Sequence, residues 1–347
     1  MFLKVIYIKG NFMSKLILPK GYKSSTDLRQ TQKAIKLIKD NFQNKLAEVL
    51  NLQRVSAPLF VEENSGLNDD LNGVERPVGF DIKQTGVKAV IVHSLAKWKR
   101  MALKLYNFEQ GTGLYTDMNA IRRDEETDNL HSIYVDQWDW ELIISKEQRT
   151  QEFLRIVVNK IAGVLADTLA VLKQNYPQVK TEIKREVYFI SALELEEKYP
   201  QLSPKEREKA ITKEYGTVFV SGIGGVLKNG LPHDGRAPDY DDWALNGDLL
   251  VYNQILDDAF EISSMGIRVD GESLKKQLVL AGCTQRLKYP YHNMIAENKL
   301  PLTIGGGIGQ SRLCMLMLGK AHIGEVQSSL WPEGMREKCS ANGINLL

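Results

Sequence analysis

Near the C-terminus, Gly305-Gly-Gly-Ile-Gly-Gln-Ser-Arg312 sets glycine at three alternate positions and an arginine at the head of the apolar run Leu313-Cys-Met-Leu-Met-Leu318. Alternate glycines (Gly305, Gly307, Gly309) clear one face of an extended segment, where a flat ring could rest on bare backbone. A guanidinium in the first turn of the following helix is a planar, permanently charged fork suited to phosphate. The same string also reads as a Gly-rich turn capping a buried helix. It has neither the Gly-Lys-Ser/Thr ending of a P-loop nor the strand-turn-helix opening of a dinucleotide unit. Among phosphate readings, an adenylate lying on an extended strand fits best.

Two further stretches put polar groups in phase. In Ile133-Tyr-Val-Asp-Gln-Trp-Asp-Trp-Glu141, a period of two sets Gln137, Asp139 and Glu141 on one face and Trp138, Trp140 and Leu142 on the other. The tryptophans bury their face; the polar face looks onto a site or onto water. In Phe260-Glu-Ile-Ser-Ser264, Phe260 and Ile262 point inward while Glu261 and Ser263 share the opposite face. Asp248 opens the preceding strand, and a hairpin would bring it beside Glu261. Two carboxylates so placed repel unless a proton or cation lies between them. Mg²⁺, which keeps waters and phosphate oxygens in its shell, suits the pair. Arg268 ends the same strand, in position to clamp a carboxylate. The run Ile121-Arg-Arg-Asp-Glu125 leads toward the Gln137 strand through a polar loop and by itself reads as surface charge. Asn68-Asp-Asp-Leu-Asn-Gly73 reads as a turn or a weak cation site. The five histidines are too scattered for a zinc triad and carry no catalytic role.

Helical and strand periodicities supply the elements that hold these residues. Residues 27–50 carry Leu28, Ile35, Ile38, Phe42, Leu46 and Val49 on a helical stripe behind an Asp27 N-cap. A short strand over 52–57 runs into Pro58. Residues 80–83 and 87–92 read as a hairpin turning near Thr85-Gly86, and Ser94 is placed to cap the helix that follows. An amphipathic helix runs from Phe153 to Leu172 through Phe153, Ile156, Val157, Val164 and Leu165. Ser203-Pro-Lys-Glu206 is a capping box with proline in the first turn, closed by Gly216. Strands are expected at 217–220, 248–252 and 259–269. Strands outnumber strand-helix-strand units and no repeat is visible. The expected fold is therefore α+β, a single domain with a mostly antiparallel sheet flanked by helices.

Charge and composition narrow the partners. With 45 basic and 43 acidic residues in 347, the chain has no general polyanion-binding field, which argues against nucleic acid. Three cysteines (Cys283, Cys314, Cys339) without Cys-x-x-Cys spacing point to a reduced, cytoplasmic protein. No apolar run approaches the roughly 18 residues of a membrane span, and the opening Met1-Phe-Leu-Lys-Val-Ile-Tyr-Ile is too short for a signal sequence.

An Arg-x-x-Glu segment followed by Gly-x-Gly-x-Gly-x-x-Arg resembles motifs two and three of class II aminoacyl-tRNA synthetases, and the helix and strand ending at Pro58 resemble their motif one. Within that superfamily, VHSLAKWKR (92–100), YVDQWDWE (134–141), RAPDYDDW (236–243), LNGD (245–248), SSMGIRVD (263–270) and TIGGGIGQSRL (303–313) closely resemble the ammonia-dependent aspartate–ammonia ligases, the asparagine synthetase A family. The likeness runs from about residue 27 to the end. Residues 1–12 lack a counterpart, Met13 offers an alternative start, and the join Trp243-Ala-Leu-Asn246 is shorter than the family's insertion there.

The resemblance implies an eight-stranded class II core that dimerises through motif one, with residues 1–26 as an extension disordered in part and 27–347 as the catalytic domain. It implies that ATP activates the side chain of L-aspartate as β-aspartyl-adenylate, and that ammonia then displaces AMP to give L-asparagine. Carried onto matching positions, Arg122 would bind the α-phosphate and Arg312 the γ-phosphate side, with Glu125, Leu130, Ser132, Gly307 and Gly309 also against ATP or AMP. Asp248 and Glu261 would meet the nucleotide and hold Mg²⁺. Asp69, Ser94, Lys99, Gln137, Asp139 and Arg268 would form the aspartate pocket, with Asp241 and Ser264 at its edge. Asp69, which would orient ammonia, is expected to be catalytic together with Arg122 and Arg312.

Two rivals share the adenylation core. An aspartyl- or asparaginyl-tRNA synthetase needs a module for the anticodon ahead of motif one, for which a helix starting near Asp27 leaves no room. A non-catalytic amino-acid- or adenylate-binding paralogue would be expected to have lost Arg122, Glu261 or Arg312, and all three are present. A glutamine-hydrolysing enzyme needs an N-terminal cysteine, where Phe2 stands.

Overall fold

A computed structural model describes residues 16–69, 71 and 75–347. In chain order its elements are α1 (Leu28–Leu50), β1 (Leu52–Arg54), β2 (Phe60–Glu62), β3 (Gly79–Asp81), β4 (Lys88–Ile91), α2 (Ala96–Leu105), β5 (Gly113–Ile121), β6 (Tyr134–Ile143) and α3 (Gln151–Asn175). There follow β7 (Tyr188–Ser191), α4 (Ala192–Lys198), α5 (Pro204–Tyr215), β8 (Thr217–Ser221), β9 (Asp241–Asn253), β10 (Asp258–Arg268), α6 (Gly271–Leu280), α7 (Pro290–Ala296), β11 (Thr303–Gly309), α8 (Gln310–Met317) and α9 (Met335–Ala341).

Eight strands form one sheet in the order β1-β5-β6-β11-β10-β9-β8-β7. Pairing is parallel at its two ends and antiparallel between them. A second sheet, β2-β4-β3, is a small antiparallel one that includes the expected hairpin, with Gly86 at φ +69° in its turn. The α+β architecture read from the sequence is the one observed.

One face of the large sheet is dry. Trp138 and Trp140 of β6 are fully buried there with Phe42, Ile38 and Leu46 of α1, Val157, Ile161 and Leu165 of α3, and Leu313 and Met315 of α8. Alternation along β6 compels this, since the tryptophans share the side opposite Gln137, Asp139 and Glu141. Asp27 accepts from the Gln30 amide at 2.8 Å while the Gln30 side chain returns to the Asp27 amide, so α1 starts where its cap predicts. Its buried stripe is Ala34, Ile38, Phe42, Leu46 and Leu50; Leu28 is exposed, and Ile35 and Val49 lie at the margin. Ile156 of α3, expected inside, faces outward. The other face of the sheet carries polar side chains over β6, β11, β10 and β9, with α2 packed on β6 and β11, and α5 on β9 and β10.

Three local expectations are corrected. Ser94 does not cap α2, which begins at Ala96; its hydroxyl donates to Asp69 Oδ2 at 2.8 Å instead. β9 begins at Asp241, so Asp248 sits in mid-strand rather than at its start. A bulge interrupts β10: Glu261 pairs Leu250, but Ser263 pairs the next residue, Leu249, and Ser264 then faces Asp248. The extra residue turns Ser263 away into a buried position, and Ser264 takes the place expected of it beside the Glu261 face.

The expected extension over 1–26 falls mainly on residues outside the described ones. Its described part, from residue 16, is packed: Ile17 exchanges hydrogen bonds with the Asn129 side chain, and the Tyr22 hydroxyl donates to Glu325 at 3.0 Å.

Candidate active site

The polar face of the sheet lines a cavity of about 470 Å³. Its walls include Asp69, Ser94, Arg122, Glu125, Leu130, Ser132, Gln137, Asp139, Asp241, Asp248, Glu261, Ser264, Arg268, Gly307, Gly309 and Arg312, residues scattered over 244 positions of sequence (69 to 312). Of the residues singled out for substrates, Lys99 alone is absent from those walls. Its fully buried ammonium lies behind them, bound to Asp139, to the Trp140 carbonyl at 2.9 Å and to the Gly306 carbonyl at 3.2 Å, and 3.6 Å from Glu141. In this structure Lys99 therefore holds Asp139 and the backbone of β11 in place.

The glycines of β11 make room for the protein's own polar groups. Gly309, Gly307 and Gly305 pair with Gln137, Asp139 and Glu141 across the ladder. A Cβ on Gly305 would strike the Glu141 carboxylate and the Arg268 guanidinium; one on Gly307 would strike the Gln137 amide. Gly307 and Gly309 reach the cavity, whereas Gly305 does not. The face expected to be bare is thus partly filled by side chains from neighbouring strands.

At this end of the cavity the charges are locked together. Arg268 donates through Nε and Nη2 to Glu141 at 3.0 and 2.8 Å and through Nη1 to Asp241, with the Tyr240 ring 5.7 Å from its guanidinium carbon. Thr303 adds a bond to Glu141 at 2.7 Å. Burial works against the Glu141 charge, but Arg268 and Lys99 outweigh it and hold its carboxyl below the usual range. Asp69 accepts from the Leu71 amide at 2.9 Å through one oxygen and from Ser94 through the other.

The opposite end is looser. Arg122 Nη1 stands 3.9 Å from Glu125, and its Nε has no partner among the described residues. Arg312 Nη1 reaches the Glu261 carbonyl at 3.3 Å and stands 3.8 Å from its carboxylate. Asp248 receives Arg236 Nη2 at 2.6 Å. Even so its carboxyl is pushed up to about 6, because burial and the nearby Glu261 charge outweigh Arg236. Glu261 is held low: burial opposes ionisation, but Arg312 and Lys205 favour it. The two carboxylates therefore line the same cavity, close enough for the Glu261 charge to act on Asp248, a conflict that a divalent cation would relieve. Among the described residues no group of three or more His, Cys, Asp or Glu could hold a metal ion, so the protein alone offers no cage.

Sequence reasoning missed Arg236, Tyr240 and Lys205 on these walls. Arg236 and Tyr240 sit inside the RAPDYDDW string but in the loop ahead of β9, where no periodicity marks a facing side. Lys205 lies in the first turn of α5, where its pairing with Glu208 at 3.0 Å and Asp234 at 3.0 Å looks like ordinary helix-surface charge.

The fold and this cavity define a class II synthetase-type core. Asparaginyl-tRNA synthetase from Entamoeba histolytica, solved with asparaginyl-adenylate, superposes with TM-score 0.62 at 16% identity, over 86% of this chain and 66% of that one. The Pyrococcus horikoshii enzyme, also with asparaginyl-adenylate, gives 0.63 at 15% identity, over 87% and 70%. Identity that low establishes the shared fold alone. A family model described as aspartate-ammonia ligase matches residues 29–343. Aspartate–ammonia ligase of Clostridium perfringens (strain 13 / Type A) is 59% identical over 336 residues, 96% of this chain and 100% of that protein. That of Clostridium tetani (strain Massachusetts / E88) is 60% identical over 334, 96% and 98%. The chain belongs to the aspartate–ammonia ligase family.

Proposed function

We propose that this enzyme makes L-asparagine from L-aspartate, ammonia and ATP, releasing AMP and diphosphate through a β-aspartyl-adenylate. The observation that carries the reading is one cavity with two chemically distinct ends, in a chain about 59% identical to ligases so named. An amide and carboxylate end (Gln137, Asp139, Asp241, Asp69) suits the α-ammonium group of an amino acid, and Arg268 suits its carboxylate. A cationic end (Arg122, Arg312, Arg236, Lys205) suits a triphosphate.

In the first step a side-chain carboxylate oxygen of aspartate attacks the α-phosphorus and diphosphate departs. Two anions must meet, so positioning and cationic neutralisation carry the catalysis. Arg122 fits the α-phosphate, Arg312 the distal phosphates, and Leu130 and Ser132 the adenosine side. Asp248 and Glu261 would hold Mg²⁺, which when bound neutralises phosphate charge; two protein carboxylates plus waters and phosphate oxygens match its preferences. In the second step the ammonia nitrogen attacks the acyl carbon, AMP leaves, and the surplus proton passes to Asp69 or to solvent.

We further propose a cytoplasmic homodimer joined through α1 and β1, on their resemblance to motif one; among the described residues no helix is long and apolar enough to cross a membrane. Light scattering that stays at the monomer mass of 39.2 kDa would refute the dimer. The reaction is tested by ATP–pyrophosphate exchange: aspartate alone should drive it, and ammonium should then yield asparagine and AMP. Release of ADP, or a requirement for tRNA, would overturn the reading.

A further inference from the structure

Arg236 occupies the boundary between the two ends of the cavity. Its side chain is 7% exposed. Nη2 donates to Asp248 Oδ1 at 2.6 Å, Nη1 donates to Ser264 Oγ and stands 3.7 Å from Asp241 Oδ2, and Nε is buried without a partner among the described residues. Glu261, the other proposed metal ligand, has Arg312 at 3.8 Å. Both metal carboxylates are thus covered by guanidinium groups, and the closer contact by far is that of Arg236 on Asp248.

We propose that Arg236 is the internal counter-cation of Asp248, releasing that carboxylate to a divalent ion only when nucleotide phosphates enter and take the guanidinium. Two buried carboxylates with no cation between them repel, and a guanidinium donating to one of them eases the conflict in part without a metal. A free ion arriving alone must displace a charge-assisted bond and leave a buried guanidinium uncompensated. An ion arriving with ATP brings the phosphate charge that pairs with Arg236, whose planar fork matches phosphate oxygens as well as carboxylate. Metal binding then depends on nucleotide, and the cavity does not fill with adventitious cation while empty.

This inference rests on the reading of Asp248 and Glu261 as metal ligands, and Mn²⁺ in place of Mg²⁺ tests both separately. Binding of Mn²⁺ alone is followed by electron paramagnetic resonance, with and without a non-hydrolysable ATP analogue. The wild type should bind Mn²⁺ weakly without the analogue and tightly with it. Arg236→Gln should tighten nucleotide-free Mn²⁺ binding by about tenfold or more, the size expected for one charge-assisted bond. Arg236→Lys keeps the charge but loses the fork to Ser264, and should fall between. Adding Asp248→Asn to Arg236→Gln should abolish the gain. Unchanged nucleotide-free affinity in Arg236→Gln overturns the proposal while Asp248→Asn still weakens Mn²⁺–nucleotide binding, which would leave the metal assignment intact. If Asp248→Asn changes neither measurement, the metal assignment and the proposal both fall.

Discussion

Under β11 the buried cations are already matched, Arg268 to Glu141 and Asp241, Lys99 to Asp139, so that end of the cavity is a finished template. At the nucleotide end Arg122 and Arg312 stand 3.9 and 3.8 Å from their nearest carboxylates, and Asp248 opposes Glu261. The first arrangement resists rearrangement because undoing it strands a buried charge. The second keeps its attraction in reserve for a ligand that arrives already charged. A small amino acid must be discriminated by fixed geometry, whereas a triphosphate can be gripped by whatever cations are free to move.

The largest test of this contrast is Arg268→Ala. It strips the buried Glu141 and Asp241 of their hydrogen-bonded counter-charge, leaving only Lys99 at 3.6 Å and Arg236 at 3.7 Å, and should destabilise the protein by about 3–5 kcal/mol as well as abolish asparagine formation. Urea unfolding within 1 kcal/mol of wild type would show that the template is not structural.

Asp248→Asn probes the opposite end in the ligand-free protein. An unfolded aspartate titrates near 3.9, and the folded carboxyl is pushed up to about 6. The folded state thus binds the proton more tightly, so this group's contribution to stability is lost as pH rises from about 4 through 6. The variant should gain up to about 3 kcal/mol over wild type at pH 7.5 and nothing near pH 4. A gain that did not change with pH would remove the charge conflict from the account.

Arg122→Ala and Arg312→Ala should each slow aspartate-dependent ATP–pyrophosphate exchange by about 10²-fold or more, with thermal midpoints close to wild type because neither arginine is tightly paired. Large losses of stability in either would erase the distinction between the two ends. Asp69→Asn should impair discharge of the bound adenylate by ammonium far more than adenylate formation, read in a single-turnover assay; equal losses would make Asp69 a structural or binding residue.

The smallest effects come from two glycines of one strand. Gly307→Ala meets only the movable Gln137 amide and should raise the KM for a substrate about fivefold. Gly305→Ala meets the pinned Glu141–Arg268 pair and should lower stability by about 1–3 kcal/mol. Reversal of that order would contradict the rigid template.

Much of this was legible in the sequence where a period could be followed. The Trp138/Trp140 face, the Asp27 cap and the Gly307-to-Arg312 stretch all follow from local alternation or capping chemistry. Lys99 is expected in the aspartate pocket but lies buried behind the cavity wall, because a lysine in a helix gives no sign of which strands will bury it. Arg236 escaped notice for the opposite reason: it lies in a loop, and its importance comes from Asp248, Ser264 and Asp241, which only the paired strands bring together. The alternation read through Phe260–Ser264 failed at one residue, since a bulge leaves no mark in composition.

That bulge makes β10 a strand of two parities. Before it the site residue is odd-numbered, Glu261; after it the site residues are even-numbered, Ser264 and Arg268. One extra residue lets a single strand deliver a phosphate-end carboxylate and an amino-acid-end arginine to the same side. Pairing the same residues in regular register, without the bulge, would leave the chain just as long and just as apolar, yet it would put every residue on one side of Ile262 out of step with the other. Glu261 and Arg268 could then no longer face the same cavity, and the two substrates would lose their common meeting place.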